Sequence, residues 1–272
     1  MIFQEIKPCL QLQPLVRNYL LVNIQQSYCF LPVKPYPARI EQAMVFFARG
    51  YIESYDPCTK IKTRIVHNAF FGQQDSRLDF QSVSSEDFLM LMVIFQPGAM
   101  HRLLGLPMHE LSRQYCDAEA FLSSDLQQVN EEISNAFSYS KMIEAVEKYL
   151  IQKVSSVKRE VHPIDAIGRL LLDQVNTFSL DWLACQSNLS PRQFERKFNE
   201  RIGIGPKLFS RISRFFKAFE FKELHPEVDW LTIAIRFGYA DYNHLVKDFK
   251  QFANVTPNIM MREYAGRPEA VL

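Results

Sequence analysis

Two stretches near the C-terminus repeat one another at an offset of 51 residues: Phe194-x3-Phe198-x7-Pro206 and Leu245-x3-Phe249-x7-Pro257. A Trp-Leu pair precedes each, Trp182-Leu183 and Trp230-Leu231. Each copy reads as a short apolar helix, a tight turn and a second helix with a polar face. Two such helix-turn-helix units in one chain point to a protein that reads duplex DNA.

The local chemistry supports that reading. In the first unit Ser179 is an N-cap for a helix over 180–187, and Asn188 suits the left-handed conformation of a turn. Ser190 then caps a second helix with Pro191 in its first position. Phe194, Phe198 and Ile202 follow at i, i+4 and i+8, leaving Arg192, Glu195, Arg196 and Asn199 on the opposite face. In the second unit a helix starting at Asp229 or its neighbour holds Trp230, Ile233, Ala234 and Phe237. Gly238 takes the turn and Asp241 caps the next helix. There Leu245, Phe249 and Phe252 face inward, while Tyr242, Asn243, Val246 and Lys247 face out, with His244 on the same helix. Trp182 and Trp230 are both expected in the core. A helix over about 207–224 joins the units; at ~1.5 Å per residue it spans roughly 27 Å, against major grooves that recur every ~34 Å on one face of DNA.

The chain as a whole carries only +1. Between Ser190 and Lys222, however, nine basic residues face three acids, a local excess of +6 suited to phosphates. Arg211 and Arg214, within that stretch, are read as phosphate contacts. Five scattered cysteines without a CxxC pair argue against a disulfide framework or a zinc site. The N-terminus shows no signal pattern, and the apolar run 88–95 is too short to span a membrane. A cytoplasmic protein is expected.

The first hundred residues hold strand-length runs rich in Val, Ile, Phe and Tyr, over 15–22, 43–48, 65–71, 77–83 and 87–95, and several of them alternate apolar with polar. This predicts a β-barrel or sandwich. After Gln96-Pro97-Gly98 the pattern becomes helical, first over 99–104 and then in an apolar stripe of Leu126, Val129, Ile133, Ala136, Phe137, Ile143, Val146 and Leu150. That stripe either packs on its own barrel or pairs with its copy in a dimer. A polar stretch, 153–162, reads as a linker, dividing a β-rich domain (1–152) from an all-α domain (163–272) with seven helices. Tyr28, Phe46, Phe47, Tyr51, His67, Phe71 and Phe80 are candidates to line an apolar effector site, or simply to fill the core. His67, His101, His109, His162, His225 and His244 include no His-x-His pair, and neither GxxxxGK[ST] nor GxGxxG occurs. No metal, cofactor or catalytic residue is expected.

The text Leu183-Ala184, Ser190-Pro191-Arg192-x-Phe194-x-Arg196-x-Phe198, Gly203-x2-Pro206, Ile233-Ala234-x3-Gly238-Tyr239, Leu245-x3-Phe249-Lys250 and Thr256-Pro257 resembles the DNA-binding domain of the AraC/XylS family of bacterial transcriptional regulators. Asn254, where the first copy has Gly203, and Met260, in place of a tyrosine, depart from that pattern. Phe95-Gln96-Pro97-Gly98, Leu103-Leu104-Gly105 and Glu110-Leu111 resemble the cupin-like sensor domain of some of these regulators. The resemblance implies an α+β protein that binds an asymmetric promoter site in double-stranded DNA as one unit. It implies base contacts from Arg192, Glu195 and Arg196 and from Tyr242, Asn243, Val246 and Lys247. It also implies a small-molecule effector in the N-terminal domain, with RNA polymerase and a second copy of the chain as further partners. The alternative is a metabolite-binding or enzymatic barrel with an accessory DNA-binding tail.

Overall fold

In the computed structural model the described residues are 2–25, 33–65, 68–83, 87–122, 125–156, 160–173 and 178–264. Ten strands come first: β1 (Ile2–Ile6), β2 (Val16–Gln25), β3 (Lys34–Tyr36), β4 (Ala43–Arg49), β5 (Tyr51–Tyr55), β6 (Lys62–Ile65), β7 (Ala69–Phe71), β8 (Leu78–Val83), β9 (Asp87–Phe95) and, after α1 (Ala99–Leu104) and a 3-10 turn at Met108–Glu110, β10 (Tyr115–Asp117). They form two antiparallel sheets, a six-stranded one ordered β1-β2-β9-β4-β7-β10 and a four-stranded one ordered β3-β8-β5-β6. The longest apolar strand, β9, lies between β2 and β4 with both faces covered, which is why its sequence runs apolar without alternation. Short strands such as β3, β6 and β10 have too few residues for a visible period and were not legible in the sequence.

Each face of the large sheet feeds a different core. Tyr19, Leu21, Met44, Phe46, Phe70, Leu91 and Val93 pack against the helices α2 (Asp125–Ser134) and α3 (Tyr139–Ser156). Val22, Val45, Phe47, Phe88 and Met90 face the second sheet. The apolar stripe of α2 and α3 is therefore used inside the chain: Leu126, Val129, Ile133, Val146 and Leu150 are buried on the sheet, and of the stripe only Phe137 stands far out. Of the two readings of the stripe, packing on its own sheet is the one the structure shows. The linker expectation also shifts, because α3 continues through Ser156. Ser155 and Ser156 donate their hydroxyls to the carbonyls of Gln152 and Lys153, so the serines do not break the helix.

Seven helices follow: α4 (Pro163–Asp173), α5 (Leu180–Gln186), α6 (Pro191–Ile202), α7 (Pro206–Leu224), α8 (Trp230–Arg236), α9 (Tyr242–Ala253) and α10 (Pro257–Tyr264). Their core is rich in phenylalanine and also takes in Ala38 and Ile40 from the N-terminal half. A buried ion cluster joins the halves. Asp165 of α4, fully buried, accepts two 2.8 Å hydrogen bonds from Arg201 at the end of α6, and Arg102 of α1 lies 3.5 Å away. Gly98 closes this corner: its φ is +77°, and a Cβ there would stand 2.1 Å from Asp165 Oδ1. Only glycine fits both demands.

Candidate nucleic-acid interface

Each of the four helices in the two units is started by its own cap. Ser179 accepts from the Trp182 amide, and Ser190 forms a reciprocal box with Gln193. Asp229 accepts from Leu231 and Thr232, and Asp241 from His244. The turns use Asn188 and Gly238, both at positive φ. Helices α6 and α9 each run 12 residues and end in left-handed caps, Gly203 and Asn254. Phe194, Phe198, Ile202, Leu245, Phe249 and Phe252 are buried, so their helices have one possible outward face. Met260 is also buried, so the missing tyrosine leaves α10 docked by a different apolar side chain.

On the outward faces, Arg192, Glu195, Arg196, Asn243 and Lys247 are exposed, while Asn199, Tyr242 and Val246 are half-buried. Among the described residues, none of Arg192, Glu195, Arg196, Asn243 and Lys247 makes a side-chain hydrogen bond or ion pair. Their polar ends are free for a ligand. His244 sits half-buried with its ring edge against Tyr239.

Arg211 and Arg214 are placed differently. Asp248, fully buried on the inner side of α9, takes Arg211 Nη2 at 2.6 Å on one oxygen and Arg214 Nη2 at 3.1 Å on the other. Arg214 also donates to the Gly238 carbonyl at 3.3 Å, and its guanidinium lies 4.0 Å from the Tyr239 ring centre. Its side chain is only 11% exposed, and its charge is paired with Asp248 inside the protein. Arg211, at 32%, keeps one edge in water while also bonding Gln251. Burial, with Asp248 nearby, pushes the Tyr239 hydroxyl to a raised pKa. The signal for Asp248 was present in the sequence: an acid at core spacing with Leu245, Phe249 and Phe252.

Trp230 is in the core, its Nε1 donating to Asn258 at 2.8 Å. Trp182 is not: it is 41% exposed and stacks on Phe178 at 4.8 Å. The Trp-Leu pairs are out of phase with the rest of the repeat. Buried Leu183-Ala184 corresponds to buried Ile233-Ala234, which matches Trp182 with exposed Thr232 and leaves Leu231 in solvent.

The candidate effector residues divide by strand alternation. Phe71 and Phe80 point between the sheets, beside Phe47, with ring centroids 6.4 Å apart. Phe46 points the other way, into the helix-covered core. Tyr51 lies on the face opposite buried Ile52 and carries Arg64 over its ring at 3.8 Å. Neither Phe46 nor Tyr51 lines the inter-sheet space. Tyr28 and His67 lie outside the described residues. Among the described residues no group of three His, Cys, Asp or Glu is placed to hold a metal, and no helix is long and apolar enough to cross a membrane.

A family model described as a helix-turn-helix domain matches residues 183–263, spanning both units. A second, described as a domain of unknown function, matches residues 4–117. An uncharacterized HTH-type transcriptional regulator of Haemophilus influenzae is 23% identical over 250 residues, covering 86% of this chain and 83% of its own. Among solved structures, ToxT from Vibrio cholerae O395 is 12% identical over 92% of this chain and 98% of its own, with a TM-score of 0.48. Unsaturated fatty acid bound wild-type ToxT from V. cholerae strain SCE256 is 13% identical over 92% and 97%, with a TM-score of 0.49. The AraC-like transcriptional activator CuxR is 12% identical over 74% and 77%, with a TM-score of 0.28.

Proposed function

We propose that this chain, an AraC-type helix-turn-helix transcriptional regulator, reads two successive segments on one face of promoter DNA, inserting α6 into one major groove and α9 into the next. The observation that carries this is the pair of unpaired outward faces on two helices whose inward faces are locked in one core. In the first segment Arg196 pairs bidentately with a guanine, and Arg192 and Glu195 contact neighbouring base edges or orient Arg196. In the second, Asn243 addresses an adenine, Val246 a thymine methyl, and Lys247 and Tyr242 the flanking positions. The exposed edge of Arg211 is left for a phosphate; Arg214 instead holds the second unit together.

The N-terminal domain acts as the controlling half. An apolar effector would enter between the two sheets, where Phe71, Phe80, Leu20 and Met92 are only partly buried against a small buried core. Binding there shifts the population of reader arrangements and with it DNA occupancy. RNA polymerase and a second copy of the chain would use surfaces other than the spent stripe of α2 and α3.

Selection of duplexes from a random pool by the full chain, followed by affinity measurement, tests the reading. Arg196→Ala should weaken the selected duplex by about 1–3 kcal/mol and relax preference at one base pair. If affinity and preference both survive, α6 does not enter the groove as described. A thermal-shift screen of apolar metabolites, repeated with the selected duplex, tests the effector: a binder that leaves duplex affinity unchanged removes the controlling role.

A further inference from the structure

The last carbonyls of a helix have no partner within the helix and must find one elsewhere. In both reading helices they find it in the N-terminal domain, at equivalent positions. The final residue of α6 is Ile202, and its carbonyl accepts from Gln73 Nε2 and from Gln42 Nε2, the latter at 3.3 Å. The next carbonyl, Gly203, accepts from Ser112 Oγ at 2.7 Å. The final residue of α9 is Ala253, and its carbonyl accepts from Arg77 Nη1 at 3.4 Å. The carbonyl before it, Phe252, accepts from the Ala38 amide at 2.8 Å.

The donors at the two ends are covalently and laterally linked. Residues 38–42 and 73–77 run side by side and are joined by the Arg39–Gln74 bridge, with amide-to-carbonyl bonds of 2.7 and 3.0 Å. One end of this crosspiece, Gln42 and Gln73, holds α6. The other, Ala38 and Arg77, holds α9. The far end is braced again by Arg77 to Glu263 at 2.8 Å and by the Tyr264 hydroxyl donating to the Pro35 carbonyl at 2.7 Å. In the middle, the Arg39 guanidinium lies 4.2 Å from the ring centre of Phe216 on α7, the helix that connects the two units.

We propose that this crosspiece of the N-terminal domain sets the separation and relative turn of α6 and α9, and so determines the spacing between the two DNA segments that the chain accepts. This rests on the reading of α6 and α9 as DNA-reading helices. Gln42, Gln73, Ser112 and Arg77 are positioning residues: they touch no base, and they act through the helix ends they cap. The competing arrangement is that α7 alone holds the two units at their distance. Each base pair inserted between the segments moves the second by about 3.4 Å and turns it by roughly 35°, so spacing reports the constraint directly.

The experiment uses the full chain and a duplex it has itself selected, with one or two base pairs inserted or removed between the two protected segments. The wild type should lose about tenfold in affinity per base pair changed, the scale of one lost base contact. Gln73→Ala, which removes a donor from the α6 end, and Arg77→Ala, which removes the side-chain donor from the α9 end, should each flatten that profile to less than about threefold. Ser112→Ala, which deletes a single hydroxyl, should flatten it partially with little effect on melting. A merely structural loss would lower affinity for every spacing alike. Folded variants that keep the wild-type spacing profile overturn the proposal and leave α7 as the spacer. If the wild type selects no duplex at all, the DNA-reading assignment itself falls, and the inference with it.

Discussion

At the residue scale, Asp248 carries more of the second unit than any side chain on its outward face. A fully buried carboxylate is tolerated because two guanidiniums neutralise it, and they in turn come from α7. Asp248→Asn keeps the shape but leaves Arg214 largely buried without a counter-charge. It should cost about 3 kcal/mol in urea denaturation. Arg214→Ala should likewise lower stability while leaving the salt dependence of DNA binding unchanged, since a side chain committed to Asp248 releases no counterion. A flattened salt slope in Arg214→Ala would instead restore the phosphate role that the basic stretch first suggested. The distinction between Arg196 and Arg214 was not legible from charge counting, because both lie in the same run of cations. Only the partner tells them apart.

At the element scale, helix ends were the most legible features. Ser179, Ser190, Asp229 and Asp241 all cap as expected, because capping depends on residues within one turn of chain. Strand β9 and helix α1 also fall where the pattern places them. The faces of strands were less accessible. Phe46 and Phe47 are neighbours with opposite destinations, and with both faces of the large sheet buried nothing in an apolar run says which core each enters. The end of α6 is a further case. Gly203 has φ +105°, and a Cβ would stand 2.3 Å from Gln73 Oε1 and 2.9 Å from Ser112 Oγ. Gly203→Ala should therefore destabilise by about 1–3 kcal/mol, combining backbone strain with displacement of two donors. A melting temperature equal to wild type would show that this junction yields easily.

At the scale of the whole molecule, α7 meets the N-terminal domain through a cluster of charges. Glu223 faces Arg39 and Lys34 across the junction and Glu220 on its own helix. Burial raises its carboxyl from an ordinary 4.5 to about 7, outweighing the attraction of Arg39. The folded state therefore holds this proton more tightly than the unfolded chain does. The stability it contributes is fully present below about pH 4.5 and is lost as pH rises through about 7. Burial lowers the pKa of His101 and His162 beside the Asp165 cluster, and their contribution runs the opposite way, lost as pH falls. Melting temperature against pH for wild type and Glu223→Gln separates the two. The variant should show a smaller decline between about pH 5 and 8, keeping the share of Glu220, whose carboxyl burial also raises, and identical profiles would place Glu223 in ordinary solvent.

The amino-acid sequence by itself determined the two helix-turn-helix units, their caps and turns, and which faces of α6 and α9 are apolar. All of these follow from short-range periodicity and from residues a few positions apart. The tertiary structure decided which cations are free and which are paired, which sheet face each phenylalanine occupies, and that the ends of both reading helices are held by the N-terminal domain. Those contacts join residues far apart in the chain: Arg214 and Asp248 are 34 positions apart, Gln73 and Ile202 129, and Arg77 and Ala253 176. A hydrogen bond between distant segments leaves no local pattern: a glutamine or arginine in a loop looks the same whether it meets water or caps a helix.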